Sequence, residues 1–259
     1  MPALIEVQKI TKAFRLSAKQ KRIEHTQQTL RVAVDGLSFA VESGEIFGLL
    51  GPNGAGKTTT LRILSTLIKP DSGDALVDGK SIIREPEAVR ARIGFLTSEL
   101  KLEEFFTPDY LFDFFASLHR LDPGTASRRK AALFERFGID EFSGTKVANL
   151  SSGMKQKASL AISIAHDPNI VIFDEPTNGL DVITAKTVTD YLEELCAAGK
   201  TVILSTHIFS LVEKLCHRVG IIIDGRLVAS GGVAEVSDGL SLEDRFFELY
   251  VKHSAEAPR

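Results

Sequence analysis

The segment Gly51-Pro-Asn-Gly-Ala-Gly-Lys57-Thr58 is the feature that most constrains how this chain can fold. It follows the apolar run Ile46–Leu50 and matches the pattern Gly-x-x-x-x-Gly-Lys-Thr of a phosphate loop between a buried strand and a helix. Glycines let backbone N–H groups curl around a polyphosphate, and the following helix directs its positive end at the same anion. The residues predicted to contact the nucleotide are Gly51, Pro52, Asn53, Gly54, Ala55, Gly56, Lys57, Thr58 and Thr59.

Two polar side chains of this loop and two carboxylates further along the chain have predicted chemical roles. Lys57 is expected to reach the β- and γ-phosphates, and the Thr58 hydroxyl to hold Mg²⁺. Asp174 and Glu175 end the apolar run that begins at Ile170, and carboxylates at that end of a parallel strand lie where ligands bind open α/β sheets. Asp174 is expected to complete the Mg²⁺ shell, and Glu175 to act as the general base that orients the attacking water.

The length, composition and charge of the chain limit the kinds of function that it can have. A chain of 259 residues is long enough for one large α/β domain or for a core with a smaller subdomain. The net charge of −3 gives no general attraction to nucleic acid, and no nucleic-acid partner is expected. The sequence has neither an apolar run long enough to span a bilayer nor a signal-peptide pattern, so a cytoplasmic location is expected.

The first third of the chain predicts a small antiparallel sheet beside the loop. Strand-like segments cover 5–10 and 34–41, and Asp78-Gly79 is a type I′ hairpin signal. Between the strands, residues 15–31 carry five basic residues and one acidic residue. An exposed loop or hairpin and a functional basic patch are both compatible with this segment.

The remaining chain divides into a helical region and a region of alternating strands and helices. Thr107-Pro108 is a helix start, Gly138 is a helix end, and Asp224-Gly225 is a second hairpin signal. The predicted fold class is α/β, a P-loop NTPase core with a mostly parallel sheet, a small antiparallel β subdomain and a helical subdomain. The predicted division is 1–95 for the antiparallel subdomain with the phosphate loop, 96–163 for the helical subdomain, 164–230 for the rest of the core, and 231–259 for a helical tail.

Further motifs give the sequence a family resemblance. Leu150-Ser-Ser-Gly-Met154 precedes a helix, Asn178-Gly-Leu-Asp181 follows the acidic strand, and His207 follows Leu204-Ser-Thr. Alone, the first of these segments indicates only an ordinary N-cap. Together with the phosphate loop and the acidic strand, the five motifs resemble in order the Walker A, signature, Walker B, D-loop and switch segments of ABC-type ATPases. The resemblance covers approximately residues 4–230.

This resemblance implies further site residues. Phe14 would stack on the adenine, Asp181 would help couple two sites in a dimer, and His207 would contact the γ-phosphate and order the attacking water. The residues that it adds to the nucleotide site are Phe14, Ser151, Ser152, Gly153, Asp181 and His207.

The sequence departs from the family pattern in two places. Ser152 and Met154 replace a Gly and the Gln of the usual signature. Ser98 stands where the family has the Gln of its Q-loop. Although its side chain is shorter than that of Gln, it could still approach Mg²⁺, so it is a third metal candidate beside Thr58 and Asp174. The same departures resemble the bacterial efflux branch that includes the NatA-type sodium exporters.

The resemblance implies an ATP-binding and ATP-hydrolysing subunit of a bacterial ABC transporter, an exporter of Na⁺ or drugs. ATP and Mg²⁺ are the implied cofactors. The implied partners are a second copy in a head-to-tail dimer and an integral membrane permease, which would hold the chain on the inner face of the cell membrane. The helical region after Ser98, with Phe105 and Phe106, is the expected docking surface. A soluble non-transport ABC ATPase and an ATP-binding regulatory module without turnover are the alternatives.

Overall fold

The computed structural model describes residues 3–23, 27–97 and 102–256. Ser98, the metal candidate at the Q-loop position, lies outside the described residues. The strands are β1 (Ala3–Arg15), β2 (Leu30–Glu42), β3 (Ile46–Leu50), β4 (Ser72–Val77), β5 (Lys80–Ser81), β6 (Ile93–Thr97), β7 (Ile170–Asp174), β8 (Thr201–Thr206), β9 (Arg218–Ile223) and β10 (Arg226–Gly232). The helices are α1 (Ala18–Ile23), α2 (Lys57–Leu64), α3 (Pro86–Arg90), α4 (Pro108–Leu118), α5 (Pro123–Phe137), α6 (Ser152–Ser163), α7 (Val182–Ala197), α8 (Phe209–Leu215), α9 (Val233–Ser237) and α10 (Leu242–Glu256).

Two sheets form the framework. The antiparallel sheet has the order β2-β1-β4-β5, and the larger sheet has the order β10-β9-β3-β8-β7-β6. In the larger sheet, β9, β3, β8, β7 and β6 are parallel to one another. The edge strand β10 pairs antiparallel with β9. This confirms the predicted fold class of a mostly parallel core with a small antiparallel sheet.

The continuous apolar runs of β3, β7 and β8 form strands that are buried along their whole length. Strands with this composition are typical of parallel sheets that are covered on both faces. One hydrophobic cluster joins one side of the large sheet to the helical region, and another joins its other side to the antiparallel sheet. The phosphate loop therefore lies at the end of β3, in the centre of the large sheet and close to both regions.

The turns follow the sequence signals. Asp78 and Gly79 have φ values of 48° and 70°, and Asp224 and Gly225 have 47° and 80°, as the two central residues of a type I′ turn require. The Thr107 hydroxyl accepts the N–H of Tyr110 and caps α4, as its sequence predicted.

Three helices have bounds that differ from those that the sequence predicts, which are 125–137, from after Gly153 to near Pro168, and 242–251. Helix α5 begins at Pro123, because the Asp122 side chain accepts the N–H of Thr125 and caps the helix. Helix α6 begins at Ser152, with Ser151 as its N-cap, and ends at Ser163 rather than near Pro168. Helix α10 continues to Glu256, beyond the expected end at Val251. Segment 15–31 contains the short helix α1, which neither of the two readings of that segment included.

Candidate functional site

The phosphate loop joins β3 to α2 and has two glycines that no other residue could replace without displacement. A Cβ on Gly51 would lie 2.2 Å from the Ile222 carbonyl oxygen, and a Cβ on Gly56 would lie 2.2 Å from the Ala33 carbonyl oxygen. Gly56 also has a φ of 104° at the start of α2. The loop is therefore packed directly against β9 on one side and β2 on the other.

The Lys57 side chain lies inside the loop that it belongs to. Its ammonium group donates to the carbonyl oxygens of Gly51 at 2.7 Å and Pro52 at 3.1 Å. The same nitrogen lies 3.6 Å from Glu175 Oε1. Burial lowers the pKa of Lys57, and the carboxylates of Glu175 and Asp174 oppose that shift. A cation is thus held, largely out of water, where the loop would surround an anion.

Three hydroxyl groups surround Asp174 at the end of β7. Thr58 Oγ1 donates to Oδ1 of Asp174 at 3.0 Å, and Ser205 Oγ donates to the same oxygen at 2.5 Å. Thr97 Oγ1 donates to Oδ2 at 3.4 Å. The sheet register explains this cluster, because Thr97 and Ser205 are the partners of Asp174 on β6 and β8. Thr58 and Asp174 present neighbouring hard oxygen donors, which is the donor chemistry that Mg²⁺ prefers.

Glu175 is held in place from both its backbone and its side chain. Its N–H donates to the carbonyl and hydroxyl oxygens of Ser205, at 3.1 and 3.2 Å. Its carboxylate accepts from His207 Nδ1, which lies 3.0 Å from Oε1 and 3.1 Å from Oε2. The Glu175 side chain is 12% exposed, whereas that of His207 is 42% exposed. The two residues predicted to act on the attacking water are therefore in direct contact.

A cavity of about 320 Å³ opens over the loop. Its lining contains seven of the predicted nucleotide residues and Glu175, together with four positions that the sequence reasoning did not assign, Arg15, Leu16, Arg31 and Ala33. The lining residues are Phe14, Arg15, Leu16, Arg31, Ala33, Asn53, Gly54, Gly56, Lys57, Thr58, Thr59 and Glu175. Phe14 is 39% exposed, and the Lys12 ammonium lies 5.7 Å from the centre of its ring. Gly51 and Ala55 are buried, and both Gly51 and Pro52 border a separate aromatic cavity beside His207.

The signature segment (Leu150–Met154) lies against the D-loop residue rather than in this cavity. The Ser151 hydroxyl accepts the N–H of Met154, and a Cβ on Gly153 would lie 3.1 Å from Thr184 Oγ1 and 3.5 Å from Asp181 Oδ2. Ser152 lines another cavity, with Asn178 and residues of α6. Among the described residues, none from the signature segment lines the cavity over the phosphate loop.

Asp181 has a local role that its sequence motif did not specify. It is the N-cap of α7 and accepts the N–H groups of Ile183 and Thr184 at 3.0 Å, as well as the Thr184 hydroxyl at 2.8 Å. Those bonds from Thr184 lower the pKa of Asp181. The carboxylate is therefore fixed at the start of α7, next to Gly153.

The sequence reasoning missed Ser205 and Thr97 as neighbours of Asp174. Both residues end apolar strands, and their position follows once the strand order and register are known. Arg31 was noticed only as part of a basic segment, because its proximity to the loop depends on the pairing of β1 with β2.

The comparisons of this chain with known proteins agree on one family. The family model described as ABC transporter matches residues 34–178. The ABC transporter ATP-binding protein NatA of Bacillus subtilis is 35% identical over 213 residues, which cover 82% of this chain and 87% of that protein. The Nod factor export ATP-binding protein I of Paraburkholderia xenovorans is 39% identical over 201 residues, which cover 78% of this chain and 66% of that protein.

A solved structure described as the ATP-binding subunit of an ABC transporter has the same architecture. It has a TM-score of 0.82 at 27% identity, over 95% of this chain and 99% of the other. In the described part of the present chain, every helix is too short or too polar to cross a bilayer.

Proposed function

The chain belongs to the ABC transporter family of ATP-binding proteins, and from this premise we propose that two copies close around ATP, hydrolyse it and drive a separate export permease. The observation that carries the proposal is the separation of the signature segment from the phosphate-loop cavity within one chain. If both segments act on one nucleotide, the signature must come from a second copy. Each chain then supplies half of each site.

The surface around the signature supports such an interface. Val182 and Ile183, which follow Asp181 at the start of α7, are 86% and 78% exposed. Large apolar side chains with this exposure are favoured where a partner covers them. They stand in the chain between Asp181 and Thr184, the two residues that a Cβ on Gly153 would meet at 3.5 and 3.1 Å. The closed dimer would bury these side chains together with the nucleotide.

In the proposed reaction, Lys57 exchanges its bonds to the loop carbonyls for bonds to the β- and γ-phosphate oxygens. Glu175 accepts the proton of a water that attacks the γ-phosphorus, and the bond to the leaving oxygen of ADP breaks. His207 orients the Glu175 carboxylate and contacts the γ-phosphate. Thr58 and Asp174 would hold Mg²⁺, which neutralises charge on the β- and γ-phosphates when bound.

The release of phosphate removes the contacts that hold two copies together. A γ-phosphate that binds both the loop of one copy and the signature of the other stabilises only the closed state, so that hydrolysis shifts the population towards the open state. A cycle of closing and opening can then move a membrane protein that is bound to the helical region.

An aromatic ladder that leads from Phe106 into α4 is the proposed contact with the permease. The rings of Phe106, Tyr110 and Phe114 stack in succession, with centroid distances of 4.6 and 6.3 Å, and all three are exposed. Phe105 beside them is 81% exposed. By contrast, Phe112 on the opposite face is buried against Phe134. An exposed aromatic surface of this kind is enriched in protein interfaces.

The direction of transport is proposed from the relatives. The Nod factor relative is named for export, which agrees with the resemblance of the signature segment of this chain to the efflux branch. Na⁺ and drugs are the proposed cargo classes. The proposed location is the inner face of the cell membrane, where the permease would hold the chain.

Light scattering in the presence of ATP and Mg²⁺ tests the dimer. We expect Glu175→Gln to form a dimer with ATP but not with ADP, and to release phosphate at least about a hundredfold more slowly than wild type. Adding Ile183→Asp should abolish this dimer, because it places a charge in the apolar contact. Ile23→Asp, at another exposed isoleucine on α1, serves as the control. A monomer at all ATP concentrations, together with unchanged turnover in Glu175→Gln, would contradict the proposal.

A further inference from the structure

The basic segment 15–31 ends at the nucleotide cavity. Phe14 of β1 and Arg31 of β2 are partners in the antiparallel register, and Arg15 is opposite Leu30. Side chains of directly opposed residues lie on the same face of a sheet. Arg31 therefore lies next to Phe14, the residue expected to stack on the base, and both line the cavity over the loop.

The position of β2 relative to the phosphate loop is fixed by backbone packing. Ala33 lies two residues beyond Arg31, so the two side chains lie on the same face of β2. Ala33 also lines the cavity. Its carbonyl oxygen leaves no room for a Cβ on Gly56. The Gly225 N–H donates to Ala55, and the Asp35 N–H donates to Gly225, which ties β2 to the loop through the β9–β10 turn.

The guanidinium group of Arg31 reaches the loop itself. A Cβ on Gly54 would lie 3.0 Å from one terminal nitrogen of Arg31. Gly54 is part of the backbone that would surround the phosphates. The side chain therefore bridges the distance between Phe14, at the base end of the cavity, and Gly54, at the phosphate end.

The charges of the cavity favour an anion at this point. Among the described lining residues, the ionised side chains are the three cations Arg15, Arg31 and Lys57 and the single carboxylate of Glu175. Glu175 and Lys57 lie 3.6 Å apart and largely balance each other. The other two cations of the lining, Arg15 and Arg31, lie on the β1–β2 side.

We propose that Arg31 binds the polyphosphate of the nucleotide from the β2 side, at the phosphates nearest the base. The inference rests on the proposed nucleotide site and adds a binding residue to it. A guanidinium group can donate two parallel N–H bonds to phosphate oxygens, which fixes their orientation as well as adding charge. Because these phosphates are present in both ATP and ADP, Arg31 raises the affinity for both and does not select the triphosphate.

Isothermal titration calorimetry with ATP and with ADP tests this assignment. Arg31→Ala is expected to weaken the binding of both nucleotides by about tenfold, as the loss of a charge-assisted contact implies. Arg31→Lys should recover part of the affinity, because it restores the charge without the paired donors. Arg22→Ala removes the same charge from α1 of the same basic segment, outside the cavity lining, and should leave both affinities unchanged.

Four outcomes separate the possibilities. Wild-type affinities in Arg31→Ala would overturn the inference, and so would a loss confined to ATP, since that would place the contact on the γ-phosphate. An equal loss in Arg22→Ala would also overturn it, because the effect would then be one of general charge. If the wild-type chain bound neither nucleotide, the proposed function itself would fail. Circular dichroism establishes that each variant is folded, and Arg31→Gln, which is uncharged but keeps more of the side chain than alanine does, repeats the test if the alanine variant is not.

Discussion

His207 Nδ1 lies almost midway between the two carboxylate oxygens of Glu175, at 3.0 and 3.1 Å. The same carboxylate also lies near Lys57, whose ammonium is 3.6 Å from Oε1. Two side chains therefore contact the Glu175 carboxylate, and its backbone N–H donates to Ser205 as well. A general base must be oriented before its basicity matters, and both carboxylate oxygens of the proposed base lie within hydrogen-bond distance of His207.

Replacing His207 by alanine should lower ATP turnover by about a hundredfold while leaving ATP affinity within a fewfold of wild type. The reason is that the Glu175 carboxylate loses the donor that fixes its orientation, whereas the loop contacts remain. Phosphate release and equilibrium nucleotide binding measure the two quantities. His253→Ala on α10 is the matched control, and a fall in affinity as large as the fall in turnover would assign His207 to binding instead.

Ser205→Ala should raise the Mg²⁺ concentration required for half-maximal ATP turnover severalfold. Ser205 donates to the Asp174 oxygen that also accepts from Thr58, so that its loss leaves the carboxylate less well oriented towards the metal. A Mg²⁺ titration of phosphate release measures the effect. Ser163→Ala is the control, because that hydroxyl donates only within its own helix, to the Leu160 carbonyl. Equal Mg²⁺ dependence in wild type and Ser205→Ala would exclude the orienting role.

Gly51→Ala should destabilise the chain by at least about 2 kcal/mol. Its Cβ would lie 2.2 Å from the Ile222 carbonyl oxygen, which is backbone of a buried strand and cannot move aside. Gly144→Ala is the control, since nothing lies within 4 Å of its Cβ position. Urea unfolding followed by circular dichroism gives both values. A midpoint for Gly51→Ala equal to that of Gly144→Ala would show that the loop adapts.

The free energy of unfolding should fall as the pH is lowered from about 6.5 to about 4, and His166 should contribute to that fall. Burial and the stacked ring of His119, 3.7 Å away between centroids, lower the pKa of His166 to about 4. The unfolded chain, with an ordinary histidine pKa of 6.5, then binds a proton that the folded chain resists. The contribution of neutral His166 to stability is complete above pH 6.5 and is lost as the pH falls towards 4.

Substitution of His166 tests this dependence. The groups around its ring are His119, Arg129 and Asp167, and its Nε2 lies 3.0 Å from the Ile93 carbonyl oxygen. His166→Gln should flatten the slope of unfolding free energy against pH between 6.5 and 4.5. His119→Gln should flatten it only partly, because burial of His166 remains. Parallel slopes in wild type and His166→Gln would assign the acid sensitivity to other groups.

The sequence alone was enough to predict those parts of the structure that depend on residues close together in the chain. The phosphate loop, the acidic end of β7 and the turns at Asp78 and Asp224 each depend on residues that are adjacent in the chain. The signature segment could be found but not placed, since its neighbours Asp181 and Thr184 are about thirty residues away.

The remaining contacts depend on strand order. Thr97 and Ser205 flank Asp174 only because β6, β7 and β8 are adjacent and in register. Arg31 lies close to Gly54 only because β2 packs against the phosphate loop. A pattern of apolar and polar residues predicts that a strand exists, but the partner beside it depends on the packing of the whole core.

Glu175 adopts a left-handed backbone conformation, with a φ of 52°. Glycine and asparagine enter this conformation more readily than glutamate does, so the backbone and the chemistry favour different residues at the same position. A gene copy released from selection for activity could therefore lose its carboxylate here by a change that also relaxes the chain. We expect an inactive relative with glycine or asparagine at this position to remain a well-folded protein. The residue at this one position can therefore be used to search for inactive relatives.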